Sequence, residues 1–192
     1  MNELKFNLPN MLIVFRILLI PVFLFFFLLA EPAPGESLFR LIAMIVFLIA
    51  SITDFFDGLL ARRWNTVSNF GKLMDPLADK MLVSSAMIAL AYRQELAAWA
   101  VVIIICREFW VTALRQLALE QGKEVIAASM WGKIKTVLQI IMLVALLAGM
   151  GAGQLFGQLG STIATILVYL AVIATVVSAV EYTKDYRDVF KA

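Results

Sequence analysis

The 192-residue sequence contains no histidine and only one cysteine, and both shortages limit its chemistry. Cys106 lies in the apolar run VVIIIC, so the chain offers neither a thiolate cluster nor an internal disulfide. Charged residues are scarce at 16%, against about a quarter in an average soluble domain. Hydrophobic residues make up 62% of the chain, and the mean hydropathy is +0.92. This composition excludes most histidine-based and soft-metal chemistry and predicts a membrane protein.

Six apolar stretches each approach the roughly 20 residues that a helix needs to cross the hydrocarbon core. They predict an all-α integral membrane protein, with one six-helix transmembrane bundle formed by residues 1–192. We expect no cleavable signal peptide, because no short apolar run ends in a small-residue cleavage site. The predicted spans are Met11–Ala30, Leu38–Leu60, Pro76–Tyr92, Ala97–Leu119, Trp131–Met150 and Ile163–Val180.

The start of the third stretch allows two interpretations. Asp75 is a plausible N-cap with Pro76 as the first helical residue, which would begin a helix there. Pro76 can equally lie at a kink within a longer helix.

Lys and Arg residues fall on one side of this predicted bundle. The segments Glu31–Ser37 and Gly151–Gly160 contain neither residue, and the turn between the third and fourth spans has only Arg93. By the positive-inside rule, both termini and the acidic motif described next are expected in the cytoplasm. The cations on that side are Lys5, Arg16, Arg62, Arg63, Lys72, Lys80, Arg115, Lys123, Lys133, Lys135, Lys184, Arg187 and Lys191.

Four carboxylates stand in or beside the second and third apolar stretches. Asp54 and Asp57 share a helical face, as do Asp75 and Asp79. Each would cost roughly 2.5–3.5 kcal/mol at membrane depth without a compensating charge. Oxygen ligands without His or Cys suit Mg²⁺ or Mn²⁺, and two such cations would balance the four negative charges, so we expect two divalent cations held by the four aspartates.

Small residues and one arginine surround these acids in the sequence. Gly58, Ala61 and Gly71 would let two helices approach closely, or leave room for a flat ligand. Arg62 offers a planar fork for phosphate or carboxylate. A plain helix-packing seam with solvated acids is the alternative interpretation.

A second group of charges is cationic. Arg107 and Arg115 are eight residues apart on the fourth stretch, and Lys133 and Lys135 open the fifth in the string WGKIKT. Their guanidinium and ammonium groups suit a phosphate monoester. Alternatively, the lysines are membrane anchors and Arg107 pairs with Glu108 or an aspartate.

The acidic motif resembles the signature of the CDP-alcohol phosphotransferases: Asp54-x-x-Asp57-Gly58-x-x-Ala61-Arg62, eight residues, then Gly71-x-x-x-Asp75-x-x-x-Asp79. This resemblance implies transfer of a substituted phosphate from a CDP-linked donor to an alcohol, with release of CMP. It implies Asp54, Asp57, Asp75 and Asp79 as metal ligands, with Asp79 also as the catalytic base. The donor CDP-diacylglycerol would contact Asn10, Asp54, Asp57, Gly58, Ala61, Arg62, Ser68, Gly71 and Asp75.

Two longer segments resemble one particular group of enzymes within this family. Arg107–Thr136, REFWVTALRQLALEQGKEVIAASMWGKIKT, and Leu8–Phe23, LPNMLIVFRILLIPVF, are similar to bacterial phosphatidylglycerophosphate synthases. This likeness implies glycerol 3-phosphate as the acceptor, bound by Arg107, Arg115, Lys133 and Lys135. It also implies a homodimer in the bacterial inner membrane, in contact with membrane lipid and without a nucleic-acid partner.

Two other functions remain open from the sequence. One keeps the reaction and changes the acceptor, to phosphatidylglycerol in a cardiolipin synthase, to inositol phosphate or to serine. Serine carries no phosphate, so the cationic group disfavours it. The other is a divalent-cation carrier, which leaves the fixed positions of Gly58, Ala61, Arg62 and Gly71 unexplained.

Overall fold

The structure is a computed structural model that describes residues 8–30, 37–64, 69–122, 129–151, 153 and 155–187. Within these ranges, the structure describes only the backbone at residues 8, 9, 37, 54–64, 69–73 and 75. The described residues form six α-helices and no strand. In chain order these are α1 (Leu8–Leu29), α2 (Ser37–Trp64), α3 (Asn69–Tyr92), α4 (Ala98–Glu120), α5 (Met130–Leu147) and α6 (Gly157–Asp185).

Each helix coincides with one predicted apolar stretch, so the prediction of an all-helical protein is confirmed. The ambiguity at Pro76 is also resolved. Helix α3 begins at Asn69 and continues through Pro76, so the proline is internal rather than at a helix start. Pro21 is likewise internal to α1. Internal prolines are tolerated in membrane helices, where neighbouring groups satisfy the freed backbone carbonyl.

Among the described residues, three helical segments are long and apolar enough to cross a membrane: Asn10–Leu29, Met130–Leu147 and Gly157–Asp185. A shorter apolar segment, Leu38–Thr53, occupies the first part of α2. This is fewer than the six predicted spans. The difference has a physical cause, because the acidic motif lies on α2 and α3, and Arg107, Glu108 and Arg115 lie on α4. Such charges lower the mean hydropathy of a helix.

The chain divides into two units, Met1–Ala89 and Leu90–Ala192. The prediction of a single domain stays a prediction. In the first unit, α1 packs against α2. The rings of Phe23 and Phe47 lie 6.0 Å apart, and those of Phe26 and Phe39 lie 6.2 Å apart. Because Phe23 precedes Phe26 while Phe47 follows Phe39, the two helices are antiparallel.

In the second unit, α4 and α5 both pack against α6. Helix α5 begins after Ser129, whose hydroxyl accepts a hydrogen bond from the Gly132 amide at 3.1 Å. Gly160 lets the start of α6 lie against the preceding turn, because a Cβ there would come within 2.0 Å of the Leu155 carbonyl oxygen. At 29 residues, α6 is long enough to span a bilayer, since a helix rises 1.5 Å per residue.

Candidate functional site

The acidic motif lies on the backbones of α2 and α3. Helix α2 carries Asp54, Asp57, Gly58, Ala61 and Arg62 without interruption, and α3 carries Gly71, Asp75 and Asp79. The prediction that the two halves of the motif occupy two successive helices is therefore confirmed. Ser68 lies outside the described residues.

The described part of α2 shows which side of this helix is buried. Residues Arg40, Ala43, Phe47 and Ala50 are all buried and follow one another by three or four positions. Positions 54, 57 and 61 continue this spacing along the same helix. Asp54 and Asp57 therefore occupy positions of α2 that extend its packed face toward the end of the helix.

On α1, the matching buried face begins with polar residues. Asn10 is 8% exposed, and Arg16, six residues later, is completely buried. Ile20, Phe23 and Phe27 continue the same face. The predicted donor ligand Asn10 thus lies on the side of α1 that is covered in the structure.

Asp79 is the one acid of the motif whose side chain is described. It is half-buried on α3 and follows Ala78, which is fully buried. Among the described residues, no three His, Cys, Asp or Glu side chains form a group that could hold a metal. Three of the four motif carboxylates, at positions 54, 57 and 75, are outside the side-chain description. The donor set of the motif is nonetheless all carboxylate, which fits a hard divalent cation.

The cationic residues form a described cluster in the second unit. Arg107 of α4 is 9% exposed, and its Nη2 donates to the Ser178 hydroxyl on α6 at 2.5 Å. Its Nη1 donates to Oε1 of Glu108 at 3.2 Å. The ammonium of Lys135 on α5 donates to the same carboxylate oxygen and is also buried. Glu108 therefore links a cation of α4 to a cation of α5.

Tyr182 of α6 holds the second arginine. Its hydroxyl accepts a hydrogen bond from Nη2 of Arg115 at 2.7 Å. The guanidinium carbons of Arg115 and Arg107 lie 5.2 and 5.4 Å from the centre of its ring, within the range of cation–π attraction. Tyr182 is 2% exposed and stacks on Tyr186. One buried ring thus contacts both arginines.

The cluster is rich in cations. Among the described contacts, Arg107, Arg115 and Lys135 bring three cations and Glu108 brings one carboxylate. The Nε atoms of both arginines are buried and have no hydrogen-bond partner among the described residues. Buried donors without acceptors are rare in folded proteins. Two such donors, in a cluster whose described contacts bring together more cations than carboxylates, fit an anionic ligand such as a phosphate.

Lys133 is placed differently from Lys135. It is exposed on α5, and two residues correspond to about 200° of helical rotation, so the two lysines occupy opposite sides of the helix. No described contact joins the Lys133 side chain to the cluster. Its predicted role as a phosphate ligand stays a prediction.

Ser178 and Tyr182, which form the α6 side of the cluster, were not predicted from the sequence. Their spacing of four residues near the end of a long apolar run is the signal that could have found them, since it puts both on one helical face. Arg16 was predicted only as one of the positive charges on the cytoplasmic side. An arginine eight residues into an apolar helix is by itself a site candidate.

The chain is similar to known proteins of a single enzyme family. The profile of the CDP-alcohol phosphatidyltransferase family matches residues 6–177. The chain is 48% identical to a Bacillus subtilis protein named CDP-diacylglycerol–glycerol-3-phosphate 3-phosphatidyltransferase, over 73% of this chain and 76% of that protein. Proteins of the same name from Salmonella typhimurium and Escherichia coli are 41% and 40% identical, over the same shares.

Proposed function

The chain belongs to the CDP-alcohol phosphatidyltransferase family, and we propose that it transfers a phosphatidyl group from CDP-diacylglycerol to sn-glycerol 3-phosphate. The products are phosphatidylglycerol phosphate and CMP. The observation that carries this proposal is the identity of 40–48% to relatives named for this reaction. The cluster of Arg107, Arg115 and Lys135 supports the acceptor independently, because three cations and two buried Nε donors without a described partner suit the negative charge of a phosphate monoester.

The donor site is proposed at the acidic motif. Enzymes of this family generally use divalent metal ions, and we propose two Mg²⁺ or Mn²⁺ ions held by Asp54, Asp57, Asp75 and Asp79. When bound, the metals neutralise the diphosphate and stabilise the departing CMP. Around them, the proposed contacts to CDP-diacylglycerol are Asn10, Gly58, Ala61, Arg62, Ser68 and Gly71.

The acceptor site is proposed at the cationic cluster. The unpartnered Nε donors of Arg107 and Arg115 can each donate to a phosphate oxygen, and Lys135 adds a third cation. Arginine forks favour phosphate because two N–H groups can reach two oxygens in parallel. Exposed Lys133 is proposed to attract the anion toward the site rather than to bind it closely.

Asp79 is the proposed general base. A half-buried carboxylate on the motif helix can accept the proton from the primary hydroxyl of the acceptor, which then attacks the lipid-side phosphorus. The bond from that phosphorus to the CMP oxygen breaks in the same displacement. No covalent enzyme intermediate is needed, which agrees with a chain that has no histidine and whose one cysteine is outside the motif.

We further propose that all six helices cross the bacterial inner membrane, with both termini and the active site on the cytoplasmic side. The one-sided distribution of Lys and Arg supports this topology. Charged side chains on α2, α3 and α4 are tolerable at membrane depth if they face a polar cavity or one another. A homodimer is proposed from the family resemblance alone.

Purified protein with CDP-diacylglycerol and a panel of acceptors tests the function. We expect CMP release with glycerol 3-phosphate and little with glycerol, serine, inositol phosphate or phosphatidylglycerol. Release with phosphatidylglycerol or inositol phosphate instead would assign a different acceptor within the family. Divalent-cation flux into vesicles with no CMP from any acceptor would favour the carrier.

A further inference from the structure

Arg16 is a buried charge that the proposed reaction does not use. It lies on α1 within the most apolar of the three spanning segments, and none of its surface is exposed. An ionised guanidinium removed from water is strongly unfavourable unless an opposite charge or several acceptors face it. The packing of α1 on α2 shows which residues lie opposite.

The contact between Phe23 and Phe47 gives the register of these two antiparallel helices in the middle of the pair. Phe23 faces Phe47, and the guanidinium carbon of Arg40 lies 5.8 Å from the ring centre of Phe27 at the end of the pair near the α1–α2 connection. Two turns further from the α1–α2 connection than Phe23 and Phe47, α1 carries Arg16, seven residues before Phe23, and α2 carries Asp54, seven residues after Phe47. The intervening layer contains Ile20 and Ala50, both buried.

The register therefore assigns the same level of the α1–α2 interface to Arg16 and Asp54. We propose that the Arg16 guanidinium pairs with the Asp54 carboxylate and so positions the first acid of the motif. The planar fork of arginine matches the two oxygens of a carboxylate, and the carboxylate would offset the cost of burying the Arg16 guanidinium. The guanidinium would also neutralise the negative charge of Asp54 while no metal is bound.

A double-mutant cycle tests the pair without substrate. Thermal unfolding is measured in detergent with EDTA present for the unmodified protein, Arg16→Met, Asp54→Asn and the double variant. Arg16→Met leaves the Asp54 carboxylate without its proposed counter-charge and should lower Tm by roughly 5–15 °C. In the double variant this carboxylate is gone, so its Tm should be several degrees above that of Arg16→Met. Losses of Tm that simply add would overturn the pairing.

Arg40 is a matched control for the cation. It is also a buried arginine on the α1–α2 interface, at 5% exposed, but it lies near the opposite end of the pair from Asp54. Arg40→Met and Asp54→Asn should therefore lower Tm additively. Asp75→Asn is the matched control for the loss of a carboxylate, because Asp75 belongs to the same motif but lies on α3. Coupling of Arg16 to Asp75 in place of Asp54 would also overturn the proposal.

The yield of folded protein replaces Tm if Arg16→Met does not accumulate. Addition of Asp54→Asn should then recover monodisperse protein on size-exclusion chromatography, whereas addition of Asp75→Asn should not. Failure of both to recover protein would count against the pairing, as would recovery by both.

This proposal depends on the proposed function only for the role of Asp54 as a metal ligand. The cycle uses neither substrate nor metal. If the acceptor assay failed while Arg16 and Asp54 remained coupled, the pair would stand and the reaction would have to be reassigned. If glycerol 3-phosphate supported CMP release but Arg16 and Asp54 were not coupled, only the proposed pairing would be overturned.

Discussion

The hydroxyl of Tyr182 accepts a 2.7 Å hydrogen bond from Arg115, and the same buried ring lies over the guanidinium of Arg107. Two arginines eight residues apart on α4 are thus held by one side chain of α6. Long cationic side chains lose considerable conformational entropy when a ligand fixes them. A site that already holds both arginines loses less of this entropy on binding, so Tyr182 should matter for acceptor affinity.

The first prediction concerns Tyr182 itself. Tyr182→Phe keeps the ring and removes the hydrogen bond to Arg115, and it should raise the KM for glycerol 3-phosphate about fivefold. Tyr182→Leu also removes both ring contacts and should raise this KM by about 30-fold or more. The KM for CDP-diacylglycerol should change little in either variant. Initial rates of CMP release against each substrate measure the effects.

Thr183 provides a matched control for Tyr182. Its hydroxyl accepts a 2.9 Å hydrogen bond from Nε1 of Trp110, and this bond also joins α4 to α6 but involves neither arginine of the cluster. Thr183→Val should leave the KM for glycerol 3-phosphate unchanged. An equal rise in Thr183→Val would show that any loosening of α4 on α6 affects the site, and Tyr182 would have no special role.

The second prediction is that Arg115→Ala selectively weakens binding of the acceptor, glycerol 3-phosphate. A charge-assisted hydrogen bond to phosphate contributes about 1.5–3 kcal/mol, so the KM for glycerol 3-phosphate should rise about 10- to 100-fold. The KM for CDP-diacylglycerol should change less than threefold. Similar increases for both substrates would move Arg115 out of the acceptor site.

The third prediction separates two neighbouring lysines. Lys135 is buried against Glu108, whereas Lys133 is exposed on the other side of α5. Lys135→Met should therefore raise the KM for glycerol 3-phosphate at least tenfold, since it removes one of three cations from the cluster. Lys133→Met should change it about twofold or less, because an exposed charge is screened by salt. The reverse order would restore Lys133 as the ligand.

Much of the fold could be predicted from the sequence, because long apolar runs in a bilayer have few alternatives to helices. All six helices lie where the apolar runs indicate. The ends were harder to predict. The third helix begins at Asn69 rather than at Pro76, because the polar residues of the motif are themselves helical. Hydropathy reports the apolar core of a helix and misses its charged extension.

The candidate site was predictable where its spacing is local. Asp54 and Asp57 lie within one turn, and a motif at such fixed offsets can be read directly. The contact of Tyr182 with Arg115 joins positions 67 residues apart, and no local pattern encodes it. The difference between Lys133 and Lys135 was equally hidden, because it depends on which side of α5 is buried in the folded protein.

The fourth prediction concerns metal removal. Dialysis against EDTA should abolish CMP release, because a diphosphate next to four carboxylates cannot be bound without compensating charge. Addition of Mg²⁺ or Mn²⁺ should restore the rate. Zn²⁺ should restore less, since the chain offers no histidine and its cysteine lies outside the motif. Full activity in the presence of chelator would exclude a metal-dependent mechanism.

The fifth prediction is that Asp79→Asn lowers kcat by about 10²- to 10⁴-fold, because an amide cannot accept the proton of the attacking hydroxyl. Loss of a metal ligand would have a different signature. If Asp79 mainly binds metal, a higher Mg²⁺ concentration should recover much of the rate in Asp79→Asn, whereas loss of a base is not recovered at any metal concentration. Asp185→Asn, at an exposed position on α6, controls for the change of charge and should keep full activity. Both variants should elute as the unmodified protein does, so that the loss of rate reports on chemistry and not on folding.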